Sequence, residues 1–497
     1  MIRLGELLDN TDGGGGIDPI AAAVPVTGLA YDTRALEAGN AFWAFAGAKE
    51  DGRKFAPAAV ERGACAVVSE LEPLESLRVP WIRVADARRT LAVAAGRFYG
   101  HPDAALAITG VTGTNGKTTT TWILDQILRS AGKITALVGT IGYHVAGDQR
   151  KAINTTPESV DLYKMFAELL AKRGTHATME VSSHALALGR VHRVQFHTAV
   201  FTNLTRDHLD FHKTMEEYYA AKQMLFDGPP APQFAVINED DEYGKKIKTD
   251  SATEVIRYGI RSGGLRAHKI ESSLDGLRFQ IRLGDERHIV ESPLVGEINV
   301  YNLLAAAGAA VTLGVGWPLI LEGIRTARPV PGRFERVEVG QPFLVIVDYA
   351  HTDDALRNTI RVARKIVTPV KGRVLTLFGC GGDRDRSKRP LMGMAAAELS
   401  DFVALTSDNP RSEDPLSIIN DALVGLRRSD TRHIVEPDRA MAIAATLAEA
   451  RPGDIVILAG KGDEHYQVLR DRTIEFDDRE VARRALVKAG YGTRGAA

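Results

Sequence analysis

The strongest chemical signal in this sequence is a glycine-rich loop: residues 110–119 read Gly-Val-Thr-Gly-Thr-Asn-Gly-Lys-Thr-Thr. An apolar run precedes the loop, and apolar residues recur at helical spacing between 123 and 128. A loop that connects a strand to a helix points backbone N–H groups at an anion, Lys117 adds positive charge, and the Thr118 hydroxyl can bind Mg²⁺. The usual spacing of such loops requires glycine at position 111, where this chain has valine. The sequence therefore predicts a variant nucleoside triphosphate site.

Two more side chains that could take part in chemistry follow other apolar runs. Glu180 ends the run 176–180, and His208 follows the run 198–201. Because ligands bind at the carboxyl ends of the strands in a parallel sheet, we expect both side chains to face the nucleotide. A carboxylate and an imidazole could hold a second Mg²⁺, although Mg²⁺ prefers oxygen ligands. A structural ion pair or a core histidine is an equally good interpretation.

Lys222 lies on an apolar helical face, since residues 218–226 read Tyr-Tyr-Ala-Ala-Lys-Gln-Met-Leu-Phe. Burial lowers the pKa of a lysine and raises its neutral, nucleophilic fraction. Neutral Lys222 could react with CO₂, and the carbamate would replace a cation with a carboxylate that organises metal or phosphate. A lysine that extends from the apolar face into solvent is the other interpretation, and spacing alone favours it.

Further charged residues follow apolar runs in the C-terminal third. Asp348 and His351 could reach a ribose or a phosphate from the end of one run. Residues 378–389 combine glycines with four cations, a composition suited to anionic substrate groups or to a solvated basic loop. In the segments 408–411 (Asp-Asn-Pro-Arg) and 460–464 (Gly-Lys-Gly-Asp-Glu), a guanidinium and a carboxylate could bind a zwitterionic amino acid. Ordinary turns with surface salt bridges are the alternative.

The elements that must position these residues alternate between extended apolar runs and helical patterns, which predicts an α/β protein with largely parallel sheets. A chain of 497 residues is long enough for about three domains. We place them at 1–100, at 101–330 with one doubly wound sheet, and at 331–497 with a second, smaller Rossmann-like sheet. The Ala- and Gly-rich segment 303–315 predicts a packed internal helix.

The composition excludes several classes of protein. Sixty-two basic and sixty-three acidic side chains lack the basic excess of a general nucleic-acid binder. Two cysteines, Cys65 and Cys380, make a disulfide framework or a cysteine-based zinc site improbable, and a reducing cytoplasm fits best. Glu6 and Asp9 interrupt the apolar segment that a signal peptide needs, and no stretch reaches the roughly 20 apolar residues of a membrane span.

Together these motifs resemble those of the Mur ligases along essentially the whole chain, and in particular the members that add meso-diaminopimelate. The motifs that carry the resemblance lie at 32–34 with 51–52, 112–118, 154–157, 180–184, 203–210, 219–222, 331–335, 348–351, 379–390, 408–411 and 460–462. The resemblance implies an N-terminal UDP-sugar-binding domain, a central P-loop ATPase-like domain and a C-terminal Rossmann-like domain that binds the amino acid. It also implies that ATP phosphorylates the D-glutamyl γ-carboxylate of UDP-MurNAc-L-Ala-D-Glu. The amine of the incoming amino acid then attacks the acyl phosphate through a tetrahedral intermediate.

The resemblance further implies a role for each site residue. The catalytic residues would be Lys117, Glu180, His208 and Lys222, with Mg²⁺ held by Thr118, Glu180, His208 and a carbamylated Lys222 (N6-carboxylysine). ATP would contact Gly113, Thr114, Asn115, Gly116, Lys117, Thr118, Thr119, Asn302, Arg333, Asp348 and His351. The UDP-MurNAc-peptide would contact Tyr31, Thr33, Ala48, Lys49, Glu50, Asn154, Thr155, Thr156, Ser182 and Arg190. The amino acid would contact Arg384, Asp408, Asn409, Pro410, Arg411, Gly460 and Glu464.

The chain departs from the usual pattern of these ligases at four positions: Thr33 for serine, Leu188 for glutamine, Asp353 for proline and Asp463 for histidine. The nearest alternatives are a ligase that adds L-lysine and a folylpolyglutamate synthetase. Arg411 argues against lysine, which has no distal carboxylate, and the motifs of the first domain argue against the folate enzyme. A P-loop nucleotide switch or kinase would explain Lys117 and Thr118 alone. We expect a cytoplasmic monomer that binds neither nucleic acid nor membrane.

Overall fold

The computed structural model describes residues 2–9, 11, 17–47, 50–273 and 275–492. The described chain forms three successive α/β units, each built around its own sheet. The predicted α/β class with three domains is therefore confirmed. Within these ranges, no helix combines the length and the apolar character that a membrane crossing needs.

The N-terminal unit consists of β1 (Ile2–Arg3), α1 (Leu4–Leu8), α2 (Pro19–Ala22), β2 (Pro25–Val26), β3 (Gly28–Ala30), β4 (Asn40–Trp43), α3 (Ala56–Glu61), β5 (Ala66–Ser69), β6 (Trp81–Arg83) and α4 (Ala87–Phe98). A parallel sheet in the order β3-β4-β5-β6 is its centre. The buried face of α4 packs against this sheet and against the central unit.

The central unit consists of β7 (Ala107–Thr112), α5 (Lys117–Ser130), β8 (Thr135–Gly139), β9 (Gly142–Val145), β10 (Asp148–Arg150), α6 (Ser159–Ala171), β11 (His176–Glu180), α7 (Ser183–Ala187), β12 (Thr198–Phe201), α8 (Leu209–His212), α9 (Met215–Asp227), β13 (Phe234–Asn238), β14 (Glu254–Gly259), β15 (Leu265–Ser273), β16 (Gly276–Leu283), β17 (Glu286–Ser292), α10 (Glu297–Thr312) and α11 (Trp317–Arg325). Its sheet has eleven strands in the order β10-β9-β8-β11-β7-β12-β13-β14-β15-β16-β17. The carboxyl ends of β7, β11 and β12 lie side by side in the middle of this sheet.

Both edges of the central sheet are antiparallel, unlike its predicted parallel middle: β8, β9 and β10 pair antiparallel at one edge and β15, β16 and β17 at the other. The apolar runs of the sequence predict no strands between residues 254 and 292. In β16, exposed Arg278 and Arg282 alternate with buried Phe279 and Ile281, so one face of the strand is solvated and no continuous apolar run forms.

The C-terminal unit consists of β18 (Glu335–Arg336), β19 (Leu344–Asp348), α12 (Asp353–Val367), β20 (Val374–Phe378), α13 (Lys388–Leu399), β21 (Phe402–Leu405), α14 (Pro415–Leu426), β22 (His433–Val435), α15 (Arg439–Glu449), β23 (Ile455–Ala459), β24 (Tyr466–Val468), β25 (Thr473–Glu475) and α16 (Asp478–Lys488). Its main sheet has the order β18-β19-β23-β20-β21-β22, and all pairs except β18-β19 are parallel. This is the smaller Rossmann-like sheet that the sequence predicts.

The helix that follows the glycine-rich loop is held by two later helices. α10 and α11 both pack on α5, and residues 303–310 of α10 are buried, as predicted for the internal helix. The closest approach is at Gly323 of α11, where an added Cβ would lie 2.6 Å from the Cα of Ile127. Because backbone atoms cannot rotate away, this contact fixes the separation of the two helices.

We expect Gly323→Ala to lower the free energy of unfolding by about 1–3 kcal/mol, because the new methyl group forces α11 away from α5. Urea denaturation would measure the loss. Gly264→Ala is the matched control, since Gly264 is exposed and the nearest atom to an added Cβ is 3.9 Å away. An equal effect of the two substitutions would contradict the assigned packing.

Candidate active site

The glycine-rich loop joins the end of β7 to the start of α5. Gly113 (φ +148°) and Gly116 (φ +88°) adopt backbone conformations that side chains disfavour, and a Cβ on Gly113 would lie 1.8 Å from Thr202 Oγ1. Lys117 Nζ curls over the loop and donates to the carbonyl oxygens of Gly113 (2.8 Å) and Thr114 (2.9 Å). Burial in the cleft lowers the pKa of Lys117. This arrangement is that of a phosphate-binding loop.

A cavity of about 470 Å³ extends from this loop to the C-terminal unit. It brings together residues that lie far apart in the sequence but follow strand ends in the two sheets. Of the predicted site residues, it is lined by Thr114, Asn115, Gly116, Lys117, Thr118, Thr119, Asn154, Thr155, Thr156, Glu180, Ser182, Arg190, His208, Lys222, Asn302, Arg333, Asp348, His351 and Arg384. The predicted nucleotide, metal and peptide contacts of the central unit therefore share one cleft with contacts from the C-terminal unit.

Lys222 is buried at the base of this cleft, with 1% of the residue exposed, and does not extend into solvent. Its Nζ donates to the carbonyl oxygen of Gly113 at 2.9 Å and lies 4.6 Å from the ring centroid of Tyr218. Burial and the nearby charge of Lys117 hold the pKa of Lys222 well below its ordinary value. The structure thus provides the desolvated lysine that carbamylation requires.

Glu180 and His208 are positioned by the ends of β11 and β12. Glu180 is 1% exposed, and its Oε1 accepts a hydrogen bond from the backbone N–H of Thr140 at 2.8 Å. His208 has a left-handed backbone (φ +55°), and its Nε2 lies 3.4 Å from Asp207 Oδ2. Both side chains line the cleft beside Thr118.

The described residues contain no group of three or more His, Cys, Asp and Glu side chains that could hold a metal ion. The cleft instead offers the hydroxyl of Thr118, the carboxylate of Glu180 and the imidazole of His208. While Lys222 is an ammonium, it and Lys117 oppose the binding of a dication. A carbamate on Lys222 would remove one positive charge and add the oxygen ligands that Mg²⁺ prefers. The donor set therefore fits Mg²⁺ when Lys222 is carboxylated.

Several contacts join the two units across the cleft. Burial raises the pKa of Asp207, but His208, His351 and Lys388 outweigh it and hold that pKa below its usual range. His351 Nε2 and Lys388 Nζ, both from the C-terminal unit, lie 3.8 and 3.9 Å from the Asp207 carboxylate. Asn115 Nδ2, from the glycine-rich loop, donates to Asp354 Oδ2 at 3.1 Å. These contacts hold the C-terminal unit against the nucleotide site.

Arg333 makes a further contact between the C-terminal unit and the central unit. Its guanidinium lies 4.1 Å from the ring centroid of Tyr349, and its Nη2 donates to Thr118 Oγ1 at 3.4 Å. Its Nη1 is 3.8 Å from Oδ1 of Asp463, one of the residues that depart from the usual pattern of Mur ligases. The departure thus places a carboxylate beside the predicted ATP contact.

The predicted amino-acid contacts form a second cluster at the carboxyl end of the C-terminal sheet. Asn409 Nδ2 donates to Glu464 Oε2 at 2.9 Å, which ties the segment after β21 to the segment after β23. Arg411 Nη1 donates to the Gly382 carbonyl oxygen at 2.7 Å. A Cβ on Gly381 would lie 3.0 Å from Arg411 Nη1 and 3.8 Å from Arg384 Cγ. Arg384 lines the large cleft, so it connects this cluster to the nucleotide site.

The predicted sugar-nucleotide contacts fall into two groups. In the central unit, Arg190 Nη1 donates to the Thr156 carbonyl oxygen at 3.0 Å, beside the cleft. In the N-terminal unit, the Tyr31 hydroxyl donates to Asp161 Oδ2 of α6 at 2.5 Å, and so links that unit to the central one. The residues that do not line the large cleft are Tyr31, Thr33, Glu50, Gly113, Asp408, Asn409, Pro410, Arg411, Gly460 and Glu464. Ala48 and Lys49 lie outside the described residues.

The predicted site residues do not include three charged residues of these clusters: Asp207, Lys388 and Lys461. Lys461 is fully buried, and its Nζ lies 3.0 Å from Glu464 Oε2 and 3.7 Å from Asp408 Oδ1. Burial and Asp408 raise the pKa of Glu464, while Lys461 opposes that shift. All three residues stand in or beside the motifs identified above, so a charge next to a strand end was the available signal.

Three family models match successive parts of the chain. They describe the Mur ligase family catalytic domain (residues 25–99), the Mur ligase middle domain (111–310) and the Mur ligase glutamate ligase domain (332–462). With the relatives below, these matches show that the chain belongs to the Mur ligase family.

The similarity to individual relatives is more specific than the match to the family models. The chain is 58% identical over 493 residues to the UDP-N-acetylmuramoyl-L-alanyl-D-glutamate–2,6-diaminopimelate ligase of Solibacter usitatus, covering 99% of each chain. It is 46% identical to the ligase of the same name from Geobacillus thermodenitrificans, covering 93% of this chain and 95% of the relative. A solved structure of a ligase of that name is 33% identical, covers 99% of both chains and has a TM-score of 0.68.

We expect Lys461→Met to lower the free energy of unfolding by about 3 kcal/mol at pH 8, because it leaves buried carboxylates uncompensated. It should also raise the pKa of Glu464 further. The deficit should therefore shrink as the pH falls, because protonation of Glu464 removes the unpaired charge. Urea denaturation across pH measures both effects.

The matched control is Lys488→Met, because Lys488 is exposed at the end of α16. A deficit that does not change with pH, or that Lys488→Met reproduces, would contradict the assigned charge pairing.

Proposed function

We propose that the protein is an ATP-dependent ligase that joins meso-2,6-diaminopimelate to the D-glutamyl γ-carboxylate of UDP-MurNAc-L-Ala-D-Glu, a cytoplasmic step in the synthesis of peptidoglycan precursors. The observation that carries the proposal is the connection through Arg384. This arginine lines the nucleotide cleft and also lies beside the cluster around Arg411 and Glu464. An activated carboxylate in the cleft and an amine in the cluster would therefore meet.

The first step activates the acid. An oxygen of the D-glutamyl γ-carboxylate attacks the γ-phosphorus of ATP, the bond to the β-phosphate oxygen breaks, and ADP and an acyl phosphate form. The glycine-rich loop and Lys117 hold the phosphates and offset their charge. Arg190 and Thr156 lie where they would orient the peptide carboxylate toward ATP. These roles use the side chains that line the cleft.

The second step forms the amide. The neutral amine attacks the acyl carbon, and the tetrahedral intermediate expels inorganic phosphate. Arg411 would bind the distal carboxylate of diaminopimelate, while Asp408 and Glu464 would receive its ammonium group. L-Lysine lacks the distal carboxylate, so with lysine the guanidinium of Arg411 would lose its ion pair. The cluster therefore favours diaminopimelate over lysine.

Mg²⁺ would be held by Thr118, Glu180, His208 and a carbamylated Lys222, and when bound it supplies positive charge that offsets the transferring phosphate. Carbamylation proceeds by attack of the neutral Lys222 amine on CO₂: a bond forms between nitrogen and carbon, and a proton is released. The burial of Lys222 next to Lys117 supports this reaction, since it lowers the pKa of the amine and so favours the neutral form.

The proposed substrates are all small molecules, and we expect the protein to act as a monomer. A P-loop nucleotide switch or kinase is the contrasting class of function. A protein of that class would turn over ATP without any amino acid, and Arg384 and Arg411 would have no function in it.

The decisive measurement is ATP-dependent phosphate release with UDP-MurNAc-L-Ala-D-Glu, with meso-diaminopimelate, L-lysine or no amino acid. We expect release, together with the mass of the tripeptide product, only with meso-diaminopimelate. The physical reason is that the nucleophilic amine is held only when both ends of the amino acid are bound.

Two other outcomes of this measurement would contradict the proposal in different ways. Equal or greater turnover with L-lysine would refute the role of Arg411 in selecting the amino acid. Release that does not depend on an amino acid would favour a nucleotide switch or kinase.

A second test concerns the modification of Lys222. After equilibration with ¹³C-enriched bicarbonate, we expect a carbamate carbonyl resonance in the NMR spectrum of the wild-type protein. Lys222→Arg should abolish it, because a guanidinium does not add CO₂. Lys117→Arg is the matched control, since Lys117 is the other lysine of the cleft. Persistence of the resonance in Lys222→Arg would refute carbamylation at this position.

A further inference from the structure

Beneath the amino-acid cluster lies an ion pair that has no contact with the cleft. Arg439 begins α15 and Asp478 begins α16, and neither side chain is exposed. Arg439 donates from Nε to Asp478 Oδ1 at 2.8 Å and from Nη2 to Oδ2 at 2.6 Å. Removing two charges from water is unfavourable, and the pairing offsets that cost only in part. Stability alone is therefore a weak reason for such a pair.

The remaining hydrogen bonds of Arg439 reach two strand ends. Nη2 donates to the carbonyl oxygen of Ala459, the last residue of β23, at 2.9 Å. Nη1 donates to the carbonyl oxygen of Ser407, which follows β21, at 3.3 Å. β23 and β21 are not neighbours, because β20 lies between them. One guanidinium thus links two backbone segments that the sheet itself does not pair.

The residues that follow these two carbonyl groups are the ones proposed to bind the amino acid. Asp408 follows Ser407, and Gly460 follows Ala459. The separation of the segments 408–411 and 460–464 decides whether Arg411 and Glu464 reach the two ends of one ligand. A misplacement of about 1 Å can weaken such recognition strongly.

We infer that Arg439 and Asp478 form a positioning pair, which holds the segments 408–411 and 460–464 at the spacing that the incoming amino acid requires. This inference rests on the proposed function, because it takes the amino acid to bind there. Neither Arg439 nor Asp478 lines the nucleotide cleft, so loss of the pair should affect the amino acid selectively.

A matched control lies at the amino ends of the strands of the same sheet. Arg373 precedes β20 and Asp454 precedes β23, and Arg373 Nη2 lies 2.7 Å from Asp454 Oδ2. This pair also joins arginine to aspartate, and it also lies next to strand ends. It stands at the amino ends of the strands, away from the amino-acid cluster.

The experiment compares Arg439→Met/Asp478→Asn with Arg373→Met/Asp454→Asn. Both double variants remove the charged pair together, which avoids an unpaired buried charge. We expect the first variant to raise KM for meso-diaminopimelate about tenfold, with kcat and KM for ATP within about twofold of wild type. The control should leave all three constants near wild type, whatever it does to thermal stability.

The inference is overturned if both double variants change KM for meso-diaminopimelate equally, or if the first changes KM for ATP as much as KM for the amino acid. A wild-type protein that does not use meso-diaminopimelate would instead refute the proposed function. The two failures are therefore distinguishable.

A second variant keeps the test usable if the double variant does not fold. Arg439→Lys preserves the charge but has one nitrogen, which cannot bond Asp478 and both carbonyl groups together. We expect faster hydrogen exchange of the amides in 408–411 and 460–464 of the full-length protein than in the wild type, with β19 unchanged. Unchanged exchange in both segments would overturn the inference.

Discussion

Two ammonium groups share one backbone carbonyl oxygen at the base of the cleft: Lys117 and Lys222 both donate to Gly113. In the described part of the chain, neither ammonium is salt-bridged to a carboxylate. Positive charge in a desolvated cleft is unfavourable unless an anion arrives or a lysine loses its proton. Both changes would serve the proposed reaction. A phosphate group would offset the charge of Lys117, and carbamylation would convert Lys222 into an anion. The proposed phosphate and metal sites both lie around these two lysines.

The proposed amino-acid site in the C-terminal unit differs from the cleft, because it must hold carboxylates in place for a zwitterionic ligand. Lys461 is buried between Asp408 and Glu464, and Arg384 and Arg411 stand nearby. Each charge in this cluster has a partner of opposite sign or a backbone hydrogen bond, as buried polar groups require. In the nucleotide cleft, Lys117 and Lys222 have backbone hydrogen bonds but, among the described residues, no salt bridge to a carboxylate. This difference fits a site for ATP in one unit and a site for an amino acid in the other.

Much of this arrangement can be predicted from local patterns. The apolar runs locate the strands around the site, because strands that are buried on both faces read as continuous hydrophobic segments. The residues that follow those runs, such as Glu180, His208 and Asp408, lie at the candidate sites because the carboxyl ends of parallel strands meet at one edge. The same logic misses β16, where one face is solvated and charged residues interrupt the run. It also does not single out Asp207, Lys388 or Lys461 from the other charged residues of their motifs, because their burial depends on distant segments.

The sequence by itself determined the three α/β domains, the phosphate loop and the set of motifs that identifies the family. Each of these depends on residues that are close together in the chain. Only the tertiary structure decided that Lys222 is buried against Gly113, that Asp207 faces His351 across the cleft, and that Arg439 joins two strand ends. The physical reason is that burial and charge pairing depend on neighbours contributed by distant segments. Spacing along the chain fixes which face of an element a residue occupies, but it does not fix what packs against that face.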